Sequence, residues 1–216
     1  MIPGIELTCR VRSGPHGTVH VLGYGIDASN ALLEGVARRN REAKHAQIRA
    51  ILEHLRKVEL LDLTWDEVAG DRGDDAYVGR HHVASVLTKR GVVRNRQRAF
   101  RRFLQSKKVP CADVVGAEEG LAAIHAAGGV SVFAHPNQVD IDHHLKPLVK
   151  LGLRGLEVYR PRVMPVRREK LIALAQRHDL LIGGGSDWHG HHPEPPLGTW
   201  RPPADRLVGL VDACTG

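Results

Sequence analysis

The sequence predicts an α/β frame interrupted by an all-helical insertion. Three observations carry this expectation: short runs rich in Val, Ile and Leu, their alternation with helical patterns from residue 116 onward, and a middle stretch with helical periodicity but no strand-like run. Alternating strands and helices of this kind build a parallel sheet. The frame is expected to comprise 1–44 and 113–216, with 45–112 as the insertion.

The elements follow in chain order. Strands are expected at 4–9 and 18–24. A long polar helix over 31–57 sets Ile48, Ile51, Leu52 and Leu55 at helical spacing. Thr64-Trp65-Asp66-Glu67 has the form of a capping box, in which the Thr hydroxyl takes an N–H three residues on and the Glu reaches back. Helices over 81–90, ended by Gly91, and over 95–105 complete the insertion. Helix 116–127 has Leu121 and Ile124 on one face and stops at Gly128-Gly129. Strand 129–134, helix 143–151, strand 155–159, helix 166–178 and strand 180–183 follow.

Composition narrows the function classes. Of the 216 residues, 42% are hydrophobic and 25% charged, which supports a buried core and excludes a disordered tail. No run approaches the roughly 18 apolar residues of a membrane span, and the first residues lack the pattern of a secretory signal. A soluble, cytoplasmic protein is expected, with no membrane association and no obligate protein partner. Cys9, Cys111 and Cys214 are odd in number and far apart, so neither a disulfide framework nor a thiolate zinc cage is implied. Fourteen histidines favour a metal site, because imidazole is the commonest metal ligand. Ten of the 31 Lys and Arg residues lie between Asp75 and Asp113, a stretch with no acidic residue. Such a segment suits a phosphate-bearing partner, the plain alternative being a solvated helical face.

The strongest local signal is Gly183-Gly184-Gly185-Ser186-Asp187-Trp188-His189. A hydrophobic strand ends in glycines and delivers Asp187 and His189 two residues apart, pointing the same way if the chain stays extended. The strand Val130-Ser131-Val132-Phe133-Ala134 ends in His135 in the same manner. Parallel strands that both end in metal-capable residues suit a metal site, since α/β folds keep their ligands at strand C-termini. Glu6 lies in an apolar strand and needs a cation, a metal or a nearby arginine. His20 sits between Val19 and Val21. His16 is expected in a surface turn, and His143, His144, His191 and His192 in solvated loops. There is no phosphate-binding loop of the G-x-x-x-x-G-K-[ST] type, no G-x-G-x-x-G, no G-x-S-x-G and no H-E-x-x-H.

The ordered segments "PGIE", "VHVLGYGID", "GRHHVASVL", "GGVSVFAHP", "GLEVY" and "GGSDWHG" resemble the PHP (polymerase and histidinol phosphatase) metal-dependent phosphoesterases, specifically the branch of nucleoside 3',5'-bisphosphate phosphatases and 5'-3' exoribonucleases. The resemblance spans nearly the whole chain. It implies a distorted (β/α)7 TIM-like barrel with a helical insertion and up to three divalent metal ions. By position, Glu6 matches a carboxylate bridging two metals, and His20 and His135 match ligands of one of that pair. Asp187 matches a ligand of the other, and His189 a ligand of the third. Arg80 and His82 fall in a stretch near the substrate phosphate in relatives, with His81 where relatives have proline.

One departure stands out. The family opens with a strand bearing H-x-H and a nearby Asp, followed by a strand with another His, upstream of the Pro-Gly-Ile-Glu strand. These are expected in an upstream extension of the reading frame, the barrel being incomplete without them. The chain by itself is then expected to hold metal weakly.

The resemblance and the basic segment together predict a hydrolase that cleaves phosphate mono- or diesters of nucleotides or short RNA with metal-activated water. Mn, Fe or Zn suits a mixed His and carboxylate set. Arg80, His82 and Lys108 are the expected phosphate contacts, with Arg98, Arg101 and Lys107 further candidates and Arg160 the next place to look. No residue is singled out as the acid for the leaving group. The alternative is a catalytically inactive, shortened PHP homologue that binds nucleotide or nucleic acid.

Overall fold

The computed structural model describes residues 1–12, 17–71, 73, 76–105, 109–189 and 196–215. The chain forms two compact units, Met1–Val36 with Val115–Gly216, and Ala37–Val114.

The first unit is a mixed α/β fold on a five-stranded sheet of order β1 (Gly4–Arg10), β2 (Thr18–Tyr24), β3 (Val130–Phe133), β4 (Gly155–Tyr159) and β5 (Leu181–Gly184). The expected parallel arrangement holds for β3, β4 and β5, whereas β1–β2 and β2–β3 pair antiparallel. Hydrophobic periodicity identifies a strand but not the direction of its neighbour. Because β2 runs against β3, its N-terminal residues lie beside the C-terminal end of β3, and the Ala134 N–H donates to the His20 carbonyl at 3.0 Å.

The two faces of β1 and β2 differ. Leu7, Cys9, Val19 and Val21 are buried on one face, together with Leu121 and Ile124 of the helix Ala117–Ala126 and with Phe133 and Leu156. Glu6 and Thr8 of β1, paired with Leu22 and His20 of β2, lie on the other. Part of this second face is covered by a C-terminal helix, Val208–Thr215, whose Leu210 packs with Val130, Val132, Leu22 and Tyr24. No helix is expected there from the sequence pattern. The helix leaves the His20 end of the face for polar residues. β3 and β4 are buried along their whole length, as strands covered on both faces must be.

Several helices differ in detail from expectation. The 143–151 helix starts earlier, as a short helix at Gln138–Asp140, a π-helical turn at Ile141–Leu145 and an α-helix at Lys146–Lys150. His144, expected in a solvated loop, is instead 1% exposed, lying in the π-helical turn with Ile141 and Leu145 on its buried side. His143 is exposed. His16, His191 and His192 lie outside the described residues.

The second unit is all-helical: Ala37 to Val58 of the helix Ala31–Val58, then Trp65–Ala69, Arg80–Lys89, Arg96–Ala99 and a π-helical turn at Phe100–Leu104. Thr64 makes the capping box, its backbone N–H donating to Glu67 at 2.9 Å and its hydroxyl accepting from the Glu67 N–H at 3.3 Å. Ile48, Ile51, Leu55, Val83, Leu87, Phe103 and Leu104 form its core. No helix among the described residues is long and apolar enough to cross a membrane.

Candidate metal centre

Glu6 projects from β1, His20 from the paired position two residues along β2, and His135 from the turn that follows β3. Their ligand atoms meet. His20 Nδ1 lies 2.6 Å from Glu6 Oε1 and 3.1 Å from His135 Nε2, and His135 Nε2 lies 3.2 Å from the same Glu6 oxygen. The two imidazole rings sit edge to face with centroids 4.8 Å apart. Glu6, which sequence alone left in need of a cation, thus has two histidines as its hydrogen-bond partners.

This donor set fits a divalent metal. One carboxylate oxygen and two imidazole nitrogens are a mixed set that suits Mn, Fe or Zn. Atoms bound about 2.0–2.2 Å from one ion lie about 3 Å apart, so only a slight spreading of the three side chains is required. Among the described residues this is the one group of three or more His, Cys, Asp or Glu side chains whose ligand atoms all lie within 4.8 Å of one another.

The electrostatics follow from the packing. Burial is the largest single influence on the Glu6 carboxyl and acts to raise its pKa. Hydrogen bonds from His135 and His20, with their charges, outweigh it and hold the group well below the usual carboxylate range. For His135, burial acts to lower the pKa, but the Glu6 hydrogen bond and the charges of Glu6, Asp187 and Glu157 raise it above the ordinary imidazole value.

Asp187 and His189 form a neighbouring pair. Asp187 has φ 53°, a left-handed conformation that breaks the extended path, so the strand geometry expected to aim both side chains in parallel does not persist. Instead the His189 Nδ1–H donates to the Asp187 carbonyl at 2.8 Å, and Nδ1 lies 3.7 Å from Asp187 Oδ1. Asp187 remains close enough for its charge to act on both His135 and Glu157. The glycines before it have a packing reason: a Cβ on Gly184 would come within 2.7 Å of the Tyr159 carbonyl oxygen. His135 also has a positive φ, 32°. Two candidate ligands therefore occupy sparsely populated backbone conformations, a frequent feature of functional sites.

A further carboxylate, Glu157 of β4, was not singled out from sequence. It is 3% exposed, and its Oε2 accepts the His135 backbone N–H at 2.6 Å, pinning the left-handed turn from which the imidazole extends. Burial, the largest influence, raises its pKa, opposed by that hydrogen bond and by Arg160, whose Nε lies 3.7 Å away. The signal was present in the sequence, since Glu157 in Gly-Leu-Glu-Val-Tyr is a charge in an apolar strand just as Glu6 is.

The expected phosphate contacts belong to the second unit. The Arg80 guanidinium donates to the Leu104 carbonyl at 3.1 Å. His82 is buried, its Nδ1 accepting the Gly79 N–H at 3.1 Å and its Nε2 lying 3.0 Å from His81 Nε2, which closes the first turn of the Arg80–Lys89 helix. Arg98 and Arg101 are exposed. Lys107 and Lys108 lie outside the described residues.

Comparison with known proteins agrees with this chemistry. No protein-family model matches the chain. It is 28% identical over 190 residues to the phosphoribosyl 1,2-cyclic phosphate 1,2-diphosphodiesterase of Eggerthella lenta, covering 86% of this chain and 72% of that protein. It is 30% identical over 198 residues to the 3',5'-nucleoside bisphosphate phosphatase of Chromobacterium violaceum, covering 86% and 66%. The 5'-3' exoribonuclease of Haemophilus influenzae is 27% identical over 199 residues, covering 88% and 69%. The chain thus spans 66–72% of the length of these proteins.

Among solved structures, a Bifidobacterium adolescentis protein assigned as a metal-dependent phosphoesterase superposes with a TM-score of 0.82 at 30% identity, over 98% of this chain and 76% of that one. An amidohydrolase from Chromobacterium violaceum, solved with bound sulfate and no metal, superposes with a TM-score of 0.77 at 24% identity, over 96% and 76%, which speaks to the fold.

A mixed α/β sheet with a carboxylate and two imidazoles gathered beside the end of a parallel strand suits a metal-dependent hydrolase. Its relatives narrow that class, and the chain belongs to the PHP-type metal-dependent phosphoesterases.

Proposed function

We propose that this protein hydrolyses phosphate mono- or diesters of nucleotides or short RNA, with Glu6, His20 and His135 holding a divalent metal ion. The convergence of these three side chains within hydrogen-bonding distance is the observation that carries the proposal. The relatives named for a cyclic phosphate, a nucleoside bisphosphate and RNA support the substrate class. Mn, Fe and Zn all suit the donors. Asp187 and His189 are candidate ligands for further ions, up to three in all, and the sheet is read as part of a distorted (β/α)7 barrel.

A bound divalent ion supplies positive charge to phosphoryl oxygens and acidifies water. The protein's own residues prepare for it. Glu6 is ionised at neutral pH, so no proton has to leave this ligand first. Glu157 fixes the backbone of His135, and Asp187 adds negative charge beside the centre. In the same reading the helical segment 45–112 serves as a basic insertion suited to phosphates, with Arg80 and Lys108 as its candidate contacts and His82, engaged with Gly79 and His81, shaping the turn that carries Arg80. This reading includes action in the cytoplasm, and no helix among the described residues is long and apolar enough to cross a membrane.

The test is inorganic phosphate release from adenosine 3',5'-bisphosphate, nucleoside monophosphate release from 5'-phosphorylated oligoribonucleotides, and ring opening of a cyclic phosphate to its monoester, in Mn, Fe or Zn and in EDTA. EDTA-sensitive turnover that disappears in Glu6→Gln and His135→Ala is expected. Nucleotide binding without turnover under any metal would point instead to a binding module.

A further inference from the structure

A cavity of about 440 Å³ opens beside Asp187, lined by Arg160, Arg162, Asp187, Trp188, Thr199 and Trp200, among others. Its volume falls in the range of small-molecule sites, about 300–1,000 Å³. Its lining carries two guanidinium groups, Arg162 and the Glu157-paired Arg160, and one carboxylate, Asp187. Two indoles contribute flat apolar surface: Trp188 is 46% exposed, while Trp200 packs partly against the core and is anchored by it.

The cavity is linked to the metal centre through two of its own residues. Arg160 sets its Nε 3.7 Å from Glu157, the residue that holds the His135 backbone, and that buried Nε has no hydrogen-bond partner among the described residues. Asp187 lines the cavity, and its charge acts on His135. A ligand lying here would therefore adjoin the candidate reacting centre.

Guanidinium groups match phosphate oxygens with paired, charge-assisted hydrogen bonds, and indole faces stack on nucleobases whatever their sequence. Their combination in one cavity specifies a ligand that is aromatic at one end and anionic at the other. We propose that the Arg160–Arg162–Trp188–Trp200 cavity is the subsite for the nucleoside monophosphate portion of the substrate, the base resting on the indoles and its phosphate on the arginines. This rests on the nucleotide-directed reading above and adds where the unreacted part of the substrate sits.

The experiment is direct binding to the full chain without added metal, by calorimetry and by tryptophan fluorescence in a Trp65→Phe background, which leaves only Trp188 and Trp200 emitting. The probes are adenosine 5'-monophosphate, adenosine, ribose 5-phosphate and inorganic phosphate. Adenosine 5'-monophosphate is expected to quench emission and to bind more tightly than any of the other three. Trp188→Ala and Arg162→Ala should each weaken it by about 5- to 100-fold, the scale of one lost stacked base or one lost charged contact. Both positions are exposed, so circular dichroism and the urea midpoint should be unchanged and a folding defect would be recognised. Arg162→Lys should recover only part of the loss, since a point charge cannot form the paired contact.

Equal affinity of the wild type and both variants, or inorganic phosphate binding as tightly as the nucleotide, would overturn the subsite. Nucleotide binding with the expected variant effects but no metal-dependent turnover would keep the subsite and defeat the hydrolase reading. Turnover with a KM unmoved by either variant would do the reverse.

Discussion

Glu157→Gln separates positioning of the metal centre from construction of the fold. The native carboxylate accepts the His135 N–H at 2.6 Å from a site only 3% exposed, and the glutamine side chain has nearly the same shape with an oxygen still available. What disappears is the negative charge. A hydrogen bond to a charged group contributes about 1.5–3 kcal/mol and a neutral one about 0.5–1.5, so the substitution weakens the restraint on the His135 turn by about 1–2 kcal/mol. If that loss is expressed in the metal-bound state, affinity falls about 5- to 30-fold, in line with the about 10–100-fold found when groups supporting metal ligands are removed. The assay is Mn titration by calorimetry or by the loss of the free-ion EPR signal. Glu157→Leu should cost more, because the N–H is left buried without an acceptor. Unchanged Mn affinity in Glu157→Gln, with Glu6→Gln still abolishing binding, would show that Glu157 does not position His135 and would refute the reasoning.

Two more expectations follow from local packing and charge. In the metal-free protein the raised pKa of His135 means that its protonated form contributes stability, fully present below its ordinary value near 6.5 and lost as pH rises through the folded value. A metal must displace that proton, so Zn or Mn affinity should climb with pH across this same window and level off above it; affinity flat from pH 6 to 9 contradicts the assignment. Gly120 of the helix Ala117–Ala126 lies so close to β1 that a Cβ would sit 2.6 Å from Cys9 Sγ, and Gly120→Ala should lower unfolding stability in urea by about 1–3 kcal/mol, a loss that Cys9→Ala in the same protein should largely relieve.

The strands were legible because Val, Ile and Leu cluster in short runs between glycines, and Glu6 stood out because a charge in such a run needs a partner. That the partner is a pair of histidines depends on strand order, which periodicity does not encode. Only the antiparallel pairing of β2 against β1 and β3 places His20 beside both Glu6 and the turn carrying His135. Asp187 and His189 were read from spacing on the assumption of an extended chain, and the left-handed backbone at Asp187 removes that premise. His144 was hidden by a π-helical turn, which shifts a residue's face without any mark in the pattern of apolar positions. The helix Val208–Thr215 lacks strong amphipathic spacing and gains its place through contact with Val130 and Val132. Glu157 was readable by the same rule as Glu6, yet its partner is a backbone N–H set by the His135 turn, and no sequence pattern announces that.

The central claim is that Glu6, His20 and His135 hold one divalent metal together. Pulsed EPR of the protein loaded with less than one equivalent of Mn tests it directly, because imidazole nitrogens bound to Mn give resolved nitrogen hyperfine couplings. The account predicts couplings from two histidine nitrogens, reduced to one in His20→Ala and in His135→Ala, and a Mn affinity at least about tenfold weaker in Glu6→Gln as the charged ligand is lost. Bound Mn without imidazole coupling, or a spectrum that none of the three substitutions alters, would contradict it.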